Sequence, residues 1–310
     1  ANKNIEEYYQ MKKPVKKQNE RLGVILIVLC CLVFRSVIST YIVYVLMFNA
    51  LYYIIHKIFK NKYLDKSFYL TFIIPIVIVI IGNINVNNIV ITRYNLSNKD
   101  ISKDIRVAYV SDVHLSTLDK KKLDNLVKIV NDNNYDIFVI DGDLVDEFST
   151  DRKIKDVIEE LGSIKTKYGN YYVEGNHDLL TNKIRSYLTE NNFIVLEDSK
   201  VLIDDNYYLV GRRDKKDKLR TNLNSLTYNL DKPVILMDHQ PNIENNMDPR
   251  VIVQLSGHTH AGQIWPLGYF LKYGYYPDKR LIVSSGVGVW HNKVRTSKHC
   301  EIVEINIKKS

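Results

Sequence analysis

The chain has 310 residues, of which 45% are apolar and 25% charged, and its formal net charge is +8. This length predicts one or two domains with enough residues for a buried core. Three cysteines, two of them adjacent, exclude a disulfide framework and a Cys-x-x-Cys metal site. The basic excess lies in residues 1–66, which hold 11 Lys and Arg against 4 Asp and Glu. Since the remainder is nearly neutral, we expect no nucleic-acid partner.

Residues 1–21 form a basic tail. Its basic residues include Lys12, Lys13, Lys16, Lys17 and Arg21. An anionic membrane surface is one partner that such a segment would attract. A solvated charge run that only sets the membrane topology is an equal alternative.

Two apolar runs follow the tail, and we expect residues 22–84 to cross a membrane. The run from Leu22 to His56 is too long for one span of roughly 20 residues and slightly short for two. We interpret it as a helical hairpin that turns near Arg35 to Thr40; one long tilted span continued by an interfacial helix is the alternative. The run from Phe68 to Gly82 would then be a third span.

The segment between the two apolar runs indicates the orientation. It carries four basic residues, Lys57, Lys60, Lys62 and Lys66. The positive-inside rule places this segment and the tail on the cytoplasmic side, which requires an even number of spans between them. A third span would deliver residues 85–310 to the outer face of the plasma membrane. No small-residue cleavage site follows the apolar stretch, so we do not expect a signal peptide.

From residue 85 onward, strand-like and helical segments alternate, which predicts an α/β domain with at least one largely parallel sheet. The first predicted strands are Ile89 to Tyr94, Ile105 to Val110, Ile137 to Ile140 and Tyr171 to Val173. The later ones are Phe193 to Leu196, Val201 to Ile203, Tyr207 to Val210, Val234 to Met237, Val251 to Leu255, Ile282 to Ser284 and Ile302 to Ile307. The predicted helices are Leu118 to Asn131, Ile154 to Leu161 and Thr181 to Asn191. The polar residues Asn83 to Asn88 are expected to link the membrane region to this domain.

Metal-ligand residue types follow five of these strands. The motifs are Asp112-Val113-His114, Gly142-Asp143, Gly175-Asn176-His177-Asp178, His239, and Gly257-His258-Thr259-His260. Sites in open α/β sheets gather beyond the carboxyl ends of strands, so these side chains can converge. Carboxylate, amide and imidazole ligands suit a pair of divalent metals. A single Asp-x-His or Gly-Asp is more often an ordinary turn, and Asp141 could simply cap a helix or support a ligand. The ordered set indicates a metal-dependent enzyme.

These motifs resemble those of the calcineurin-like metallophosphoesterase family. The stretch from Gly257 to Pro266 is similar to the membrane-anchored bacterial phosphodiesterase branch of that family. The resemblance covers about residues 86–310. It implies an α/β fold in four layers, a β-sandwich flanked by helices, and a centre with two divalent ions. Mn²⁺, Zn²⁺ and Fe²⁺ all suit such mixed ligands, and the identity of the metal stays open.

Each motif residue takes a role that the resemblance implies. The first metal would be bound by Asp112, His114 and His260, the second by Asn176, His239 and His258, and Asp143 would bridge both. Two metals in this arrangement share a hydroxide that attacks phosphorus in line. His177 matches the non-ligand histidine that contacts phosphate and protonates the leaving oxygen. Asp146 matches the carboxylate that orients this histidine, with Asp178 as the second choice.

Two features indicate the substrate class: differences from the motifs of protein serine/threonine phosphatases, and the predicted membrane anchor. Protein serine/threonine phosphatases carry Arg-Gly and Glu where Glu147-Phe148 and Asp178 stand, which disfavours that branch. A membrane anchor favours a lipid-linked diphosphate or phosphodiester, ahead of a small soluble phosphodiester. The insert from Ile264 to Tyr276 could dip toward lipid, and a packed surface loop is an equal alternative. Arg295 could touch substrate, but an exposed salt bridge is the safer interpretation.

Two other function classes fit the sequence less well. A membrane-tethered metal-binding or degenerate scaffold protein would not need His177. A transport function of the membrane region would need more polar residues than Arg35 in the spans. The oligomeric state stays open.

Overall fold

The structure, a computed structural model, describes residues 36–59, 67–178, 181–243, 247–290 and 292–310. The described residues form two compact units. The first comprises those up to Ile80 together with 292–293, and the second comprises those of 81–290 and 294–310.

The first unit is made of apolar helix. Helix α1 (Val37–Phe59) has 23 residues and helix α2 (Leu70–Asn87) has 18, and both are long and apolar enough to cross a membrane. No glycine or proline interrupts α1, so the helix continues once begun. Residues 37–40 already belong to α1, so the turn of the predicted hairpin would lie before Val37. The first arm of the predicted hairpin, residues 22–35, lies outside the described residues.

Helix α2 runs to Asn87, so most of the predicted polar link from Asn83 to Asn88 is helical. The last residues of α2, from Ile81 onward, belong to the second unit, and their polar groups find partners within that unit. The Asn85 side-chain amide donates to the backbone oxygen of Arg295 at 3.1 Å. The Lys122 ammonium donates to the backbone oxygen of Val86 at 2.6 Å. Because these bonds satisfy the last turn, the helix continues until one residue before the first strand.

Two six-stranded sheets make up the described part of the second unit. The first sheet contains β1 (Ile89–Asn98), β2 (Ile105–Val110), β3 (Ile137–Asp141), β4 (Asn170–Val173), β5 (Phe193–Val195) and β12 (Cys300–Lys309). The second contains β6 (Ser199–Ile203), β7 (Tyr207–Gly211), β8 (Val234–Met237), β9 (Val251–Ser256), β10 (Gly274–Tyr276) and β11 (Leu281–Val283). The strand orders are β1-β12-β2-β3-β4-β5 and β10-β11-β9-β8-β7-β6. Strands β2 to β5 are mutually parallel, as are β7, β8, β9 and β11.

Four helices flank the sheets. They are α3 (Lys120–Asp132), α4 (Asp151–Leu161), α5 (Asn182–Glu190) and α6 (Leu223–Thr227). Successive residues along the strands of the first sheet face opposite sides of that sheet. Ala108 and Ile140 pack on one side, in the cluster formed with α3, α4 and α5. Val107 and Val139 instead pack with residues of the second sheet, such as Ile235. The order helix, sheet, sheet, helix confirms the predicted four-layer α/β sandwich.

The first turns of α3, α4 and α5 are capped by Asp119, Thr150 and Thr181, whose side chains each accept a backbone N–H three residues ahead. Helix α6 and strand β10 were not predicted, because segments of five and three residues are too short to show a hydrophobic periodicity.

Candidate metal centre

The predicted ligands lie at one edge of the sandwich, where parallel strands end. Asp112 follows β2, Asp143 follows β3, Asn176 follows β4, His239 follows β8 and His258 follows β9. Backbone hydrogen bonds join the loops: Asp112 N donates to Gly142 O, and His114 N donates to Asp143 O, each at 3.0 Å. The site is thus built from five strand ends, as expected for parallel α/β sheets.

The backbone of this edge is strained. Asp112, His114, Asp143, His258 and His260 all have positive φ, between 45° and 69°. A non-glycine residue in this region costs on the order of 1–3 kcal/mol, so the surrounding structure must hold it there. Three of them, Asp112, Asp143 and His258, lie two residues past the end of a strand. Such strain is typical of a functional site.

Two glycines allow the loops to approach the ligands. A Cβ atom at Gly257 would overlap the side chains of Ser111 and Asp112. A Cβ atom at Gly175 would overlap Asp143. Only glycine fits at these two positions without displacing a predicted ligand.

The predicted ligands form two adjacent groups. Asp112, His114 and His260 offer ligand atoms that all lie within 4.8 Å of one another. Asp143, His239 and His258 form a second such group. Nε2 of His114 lies 3.1 Å from Nε2 of His260, and Nε2 of His260 lies 3.3 Å from Asp112 Oδ1. Nε2 of His239 lies 3.1 Å from Asp143 Oδ2.

Asn176 stands beside the second group. Its neighbours in the chain contact Asp143, since the His177 N–H donates to Asp143 Oδ1 at 2.8 Å. The side-chain oxygen of Asn176 is buried and has no hydrogen-bond partner among the described residues. It is therefore free to serve as an oxygen ligand.

The donor atoms fit a pair of cations. Nε2 of His239 and Oδ1 of Asn176 are buried without a hydrogen bond to the described residues. The His239–Asp143 approach is close, but it lacks hydrogen-bond geometry. An unpaired buried polar atom costs about 1–3 kcal/mol, and cations bound between the two groups would remove that cost at the ligand atoms.

Burial keeps the first-group histidines neutral. It lowers the pKa of His114 to about 4. Burial, with His114 and Arg295 nearby, also lowers the pKa of His260 well below its usual value. Both imidazoles are therefore in the neutral form that binds metals.

Burial and neighbouring charges shift the pKa values of the two aspartates in opposite directions. Burial would raise the pKa of Asp143, but the neighbouring His239 and His114 outweigh it and hold this pKa below its usual range. Burial raises the pKa of Asp112 to about 6, against the opposing effect of His239. Asp143 is thus ionised and central, and a cation would favour the ionised form of Asp112 as well.

His177 lies at the edge of the two groups, with about a quarter of its side chain exposed. The carboxylate beside its ring belongs to Glu147, whose Oε2 lies 3.4 Å from Nδ1 of His177. The ring centroid of Trp290 lies 5.4 Å from that of His177, and that of His114 lies 5.5 Å away. The ring is held by these three neighbours.

Asp146, which was predicted to orient His177, contacts other groups in the described structure. Its carboxylate accepts the backbone N–H groups of Ser116 and Phe148, at 3.1 and 2.9 Å. These bonds turn it toward His114, whose Nδ1 lies 3.9 Å from Asp146 Oδ2. Asp146 therefore faces a predicted metal ligand.

Asp178, the second choice, also supports the loops. Its carboxylate accepts three backbone N–H groups, from Asp143, Val145 and Gly175, at 2.7 to 2.8 Å. Asp141 caps no helix: it is buried, and both carboxylate oxygens lack a hydrogen-bond partner among the described residues.

The environment of Arg295 differs from the one that the sequence predicted. It is fully buried and is not part of an exposed salt bridge. Its guanidinium donates to the backbone oxygens of Gly288 and His260, at 2.9 and 3.3 Å, and Nη2 lies 3.4 Å from Nδ1 of His260. Arg295 thus fixes a predicted ligand. Only its nearness to the glycine-rich segment 285–288 signalled a role.

Comparisons with known proteins agree with this geometry. Residues 105–262, about half of the chain, match the family described as calcineurin-like phosphoesterase. An uncharacterized metallophosphoesterase of Helicobacter pylori is 30% identical over 228 residues, which are 67% of this chain and 60% of that protein. A transmembrane protein with metallophosphoesterase domain from Danio rerio is 29% identical, over 66% of this chain and 54% of its own length.

The chain thus spans roughly three fifths or less of the length of these two relatives. A solved structure from Thermus thermophilus aligns with a TM-score of 0.39 at 14% identity, over 49% of this chain and 81% of that one. The two apolar helices of the described chain suit a membrane by their length and composition. The chain belongs to the calcineurin-like phosphoesterase family.

Proposed function

We propose that the chain is a binuclear metal-dependent phosphodiesterase or pyrophosphatase that hydrolyses a membrane-associated or lipid-linked phosphoester. The observation that carries this proposal is the pair of ligand groups, with His177 at their edge. The first metal would be held by Asp112, His114 and His260 and the second by Asn176, His239 and His258, and Asp143 would be a ligand shared by both. Mn²⁺, Zn²⁺ or Fe²⁺ would suit these ligands.

Two divalent cations bound there would supply a nucleophile at neutral pH and neutralise charge on the phosphoryl oxygens. The protein provides what surrounds them. Loops tied by backbone hydrogen bonds hold the ligands in place, which limits reorganisation during the reaction. Lys216 adds a positive charge at the edge, with its ammonium 3.4 Å from Asn176 O. This environment favours an anionic substrate.

His177 is assigned the role of proton donor to the leaving oxygen. A carboxylate on one ring nitrogen sets the tautomer of an imidazole and leaves the other nitrogen to donate. Glu147 occupies that place beside Nδ1 of His177. Glu147 is therefore the positioning residue, and Asp146 instead supports the metal ligand His114.

The membrane region supports a lipid-linked substrate. Residues 1–21 form a cytoplasmic tail, 22–84 the membrane region and 85–310 the catalytic domain in this proposal. Lys57, Lys60, Lys62 and Lys66 place the segment between α1 and α2 on the cytoplasmic side. Helix α2 would then carry the catalytic domain to the outer face of the plasma membrane. A substrate within the bilayer surface is the one that such an anchor concentrates.

The test is a comparison of three substrates with metal-stripped full-length protein. A bis-aryl phosphodiester, an aryl phosphomonoester and a lipid-linked diphosphate are each assayed before and after Mn²⁺ or Zn²⁺ is added back. We expect metal-restored turnover that is highest on the lipid-linked diphosphate. Preference for the monoester would contradict the phosphodiesterase or pyrophosphatase assignment.

A further inference from the structure

One surface loop of the catalytic unit exposes a run of large apolar side chains. This apolar loop comprises residues 265–271. The exposed side chains are Trp265 at 37%, Leu267 at 54%, Tyr269 at 79%, Phe270 at 80% and Leu271 at 45%. An apolar cluster of this kind marks an interaction surface, because leaving it in water is unfavourable.

The apolar loop is held at its base. Trp265 N donates to Thr296 Oγ1 at 2.9 Å. At the other end, the hydroxyl of Thr259 donates to Lys272 O at 2.7 Å. Residues Leu267–Tyr269 form a short 3₁₀ helix between these two anchor points. The backbone therefore directs the apolar side chains outward.

The base of the apolar loop is part of the metal centre. Thr259 lies between His258 and His260, and the apolar loop begins a few residues after His260. The hydroxyl of Ser297 also donates to Ala261 O, next to His260, at 2.8 Å. Whatever covers the loop lies beside the opening of the site.

The same backbone strip contacts the end of the membrane helix. Arg295 N donates to Gly82 O at 3.0 Å, and the Asn85 amide donates to Arg295 O at 3.1 Å. The next residue, Thr296, receives the Trp265 N–H. Adjacent residues are about 3.8 Å apart, so the apolar loop starts beside the last turns of α2. There the chain leaves the apolar segment that suits a bilayer.

Charge around the apolar loop also fits a lipid surface. Exposed lysines stand over aromatic rings next to it: Lys298 lies 5.2 Å from the ring centroid of Tyr273, and Lys279 lies 5.9 Å from that of Tyr276. Aromatic and basic side chains together are typical of the headgroup layer of a membrane.

We propose that the apolar loop inserts into the headgroup layer of the bilayer and holds the opening of the metal centre against the lipid surface. This inference rests on the proposed function in one respect: it explains how the enzyme reaches a phosphoester carried by a lipid. The occupant is the bilayer, and a second copy of the chain is the competing occupant that the experiment separates.

The experiment uses the two tryptophans of the chain as reporters. Full-length protein is reconstituted in phosphatidylcholine–phosphatidylglycerol vesicles with lipids that carry a quencher at the headgroup or along the acyl chain. Trp265 is the reporter in Trp290→Phe, and Trp290 is the reporter in Trp265→Phe. We expect shallow quenchers to quench Trp265 and to leave Trp290 nearly unaffected. If no lipid quencher reduces the fluorescence of Trp265, the proposal is overturned. A dimer detected by crosslinking in that case would indicate that a second copy of the chain covers the apolar loop.

A second measurement links docking to substrate. Leu267→Ser/Phe270→Ser is compared with Tyr228→Ser, a control in which an aromatic side chain that is 71% exposed is removed elsewhere. We expect turnover of the vesicle-borne diphosphate to fall on the order of tenfold in the double variant alone, since two apolar side chains leave the membrane. Turnover of the soluble bis-aryl diester should be unchanged. Equal loss on both substrates would contradict docking.

The two proposals fail in different ways. Quenching of Trp265 needs no turnover, so an inactive protein with a quenched Trp265 would overturn the proposed function and keep the docking surface. An active enzyme with an unquenched Trp265 would overturn the docking surface alone.

Discussion

Glu147 Oε2 lies 3.4 Å from Nδ1 of His177, and no other described carboxylate is paired with that ring. This contact makes Glu147, one residue beyond the predicted Asp146, the carboxylate that orients the proposed proton donor. A carboxylate beside Nδ1 restrains the orientation of the imidazole ring.

His177→Ala should reduce turnover by about 10²–10⁴-fold on a diester with a poor leaving group. The loss should be much smaller for a nitrophenyl ester, whose leaving oxygen needs no proton. Glu147→Gln should show the same dependence on leaving group with a smaller loss. Steady-state rates across a series of aryl esters measure both effects. A loss that is independent of the leaving group would contradict the proton-donor role.

Asp146→Asn should act on the metal and not on the leaving group. Because Asp146 faces Nδ1 of His114, we expect metal affinity to fall about 10–100-fold. Competition with a chelator, followed by metal analysis, measures this change. Glu147→Gln is the matched control and should keep its metals. Unchanged metal affinity in Asp146→Asn, with a new dependence on leaving group, would restore the original assignment of Asp146 to His177.

Short-range patterns predicted the α/β class and most strand ends, whereas the four layers and the roles of the ligands were implied by the resemblance to a known family. Apolar periodicity locates strands, and a polar motif after each strand indicates the edge where they meet. The carboxylate beside His177 could not be predicted, because it depends on the direction in which the side chain of a turn residue points. Backbone N–H groups from Ser116 and Phe148 capture Asp146, and one of these donors lies 30 residues away.

The burial of Arg295 could not be predicted for a similar reason. An arginine near the C-terminus is usually exposed. Its burial requires carbonyl groups from Gly288 and His260, which only the folded chain brings together. The extension of α2 likewise depends on partners from Arg295 and Lys122 that are distant in sequence.

Arg295→Met should destabilise the catalytic unit and weaken metal binding. The change leaves the buried carbonyl groups unpaired, each at about 1–3 kcal/mol. Thermal unfolding should therefore occur several degrees lower than in the wild type. Arg295→Lys keeps the charge and some of the hydrogen bonds, so its unfolding temperature should lie between those of the wild type and Arg295→Met. A raised KM with unchanged thermal stability would instead indicate that Arg295 contacts substrate.

Lys122 should give the catalytic unit a distinct pH dependence. Burial lowers the pKa of Lys122 below its usual value, although Cys300 acts in the opposite sense. The unfolded state then binds more protons than the folded state between the two pKa values. The Lys122 contribution to the free energy of unfolding therefore increases as pH rises through this window.

Unfolding midpoints of the wild type and Lys122→Met, measured in detergent from about pH 7 to about pH 10, isolate this contribution. We expect the wild type to gain stability relative to the variant as pH rises. Lys120→Met is the control, because its side chain is 69% exposed. Parallel pH profiles for wild type and Lys122→Met would show that Lys122 is protonated equally in both states.

The most direct test of the account is a metal titration of the stripped full-length protein, followed by turnover of the bis-aryl diester and by metal analysis. We predict that two equivalents of Mn²⁺ or Zn²⁺ bind and that turnover appears as the second equivalent is taken up. Asp143→Asn, which alters the bridging ligand, should bind fewer than two equivalents and lose turnover. Full turnover in the stripped protein, or with one equivalent bound, would contradict a two-metal centre at these residues.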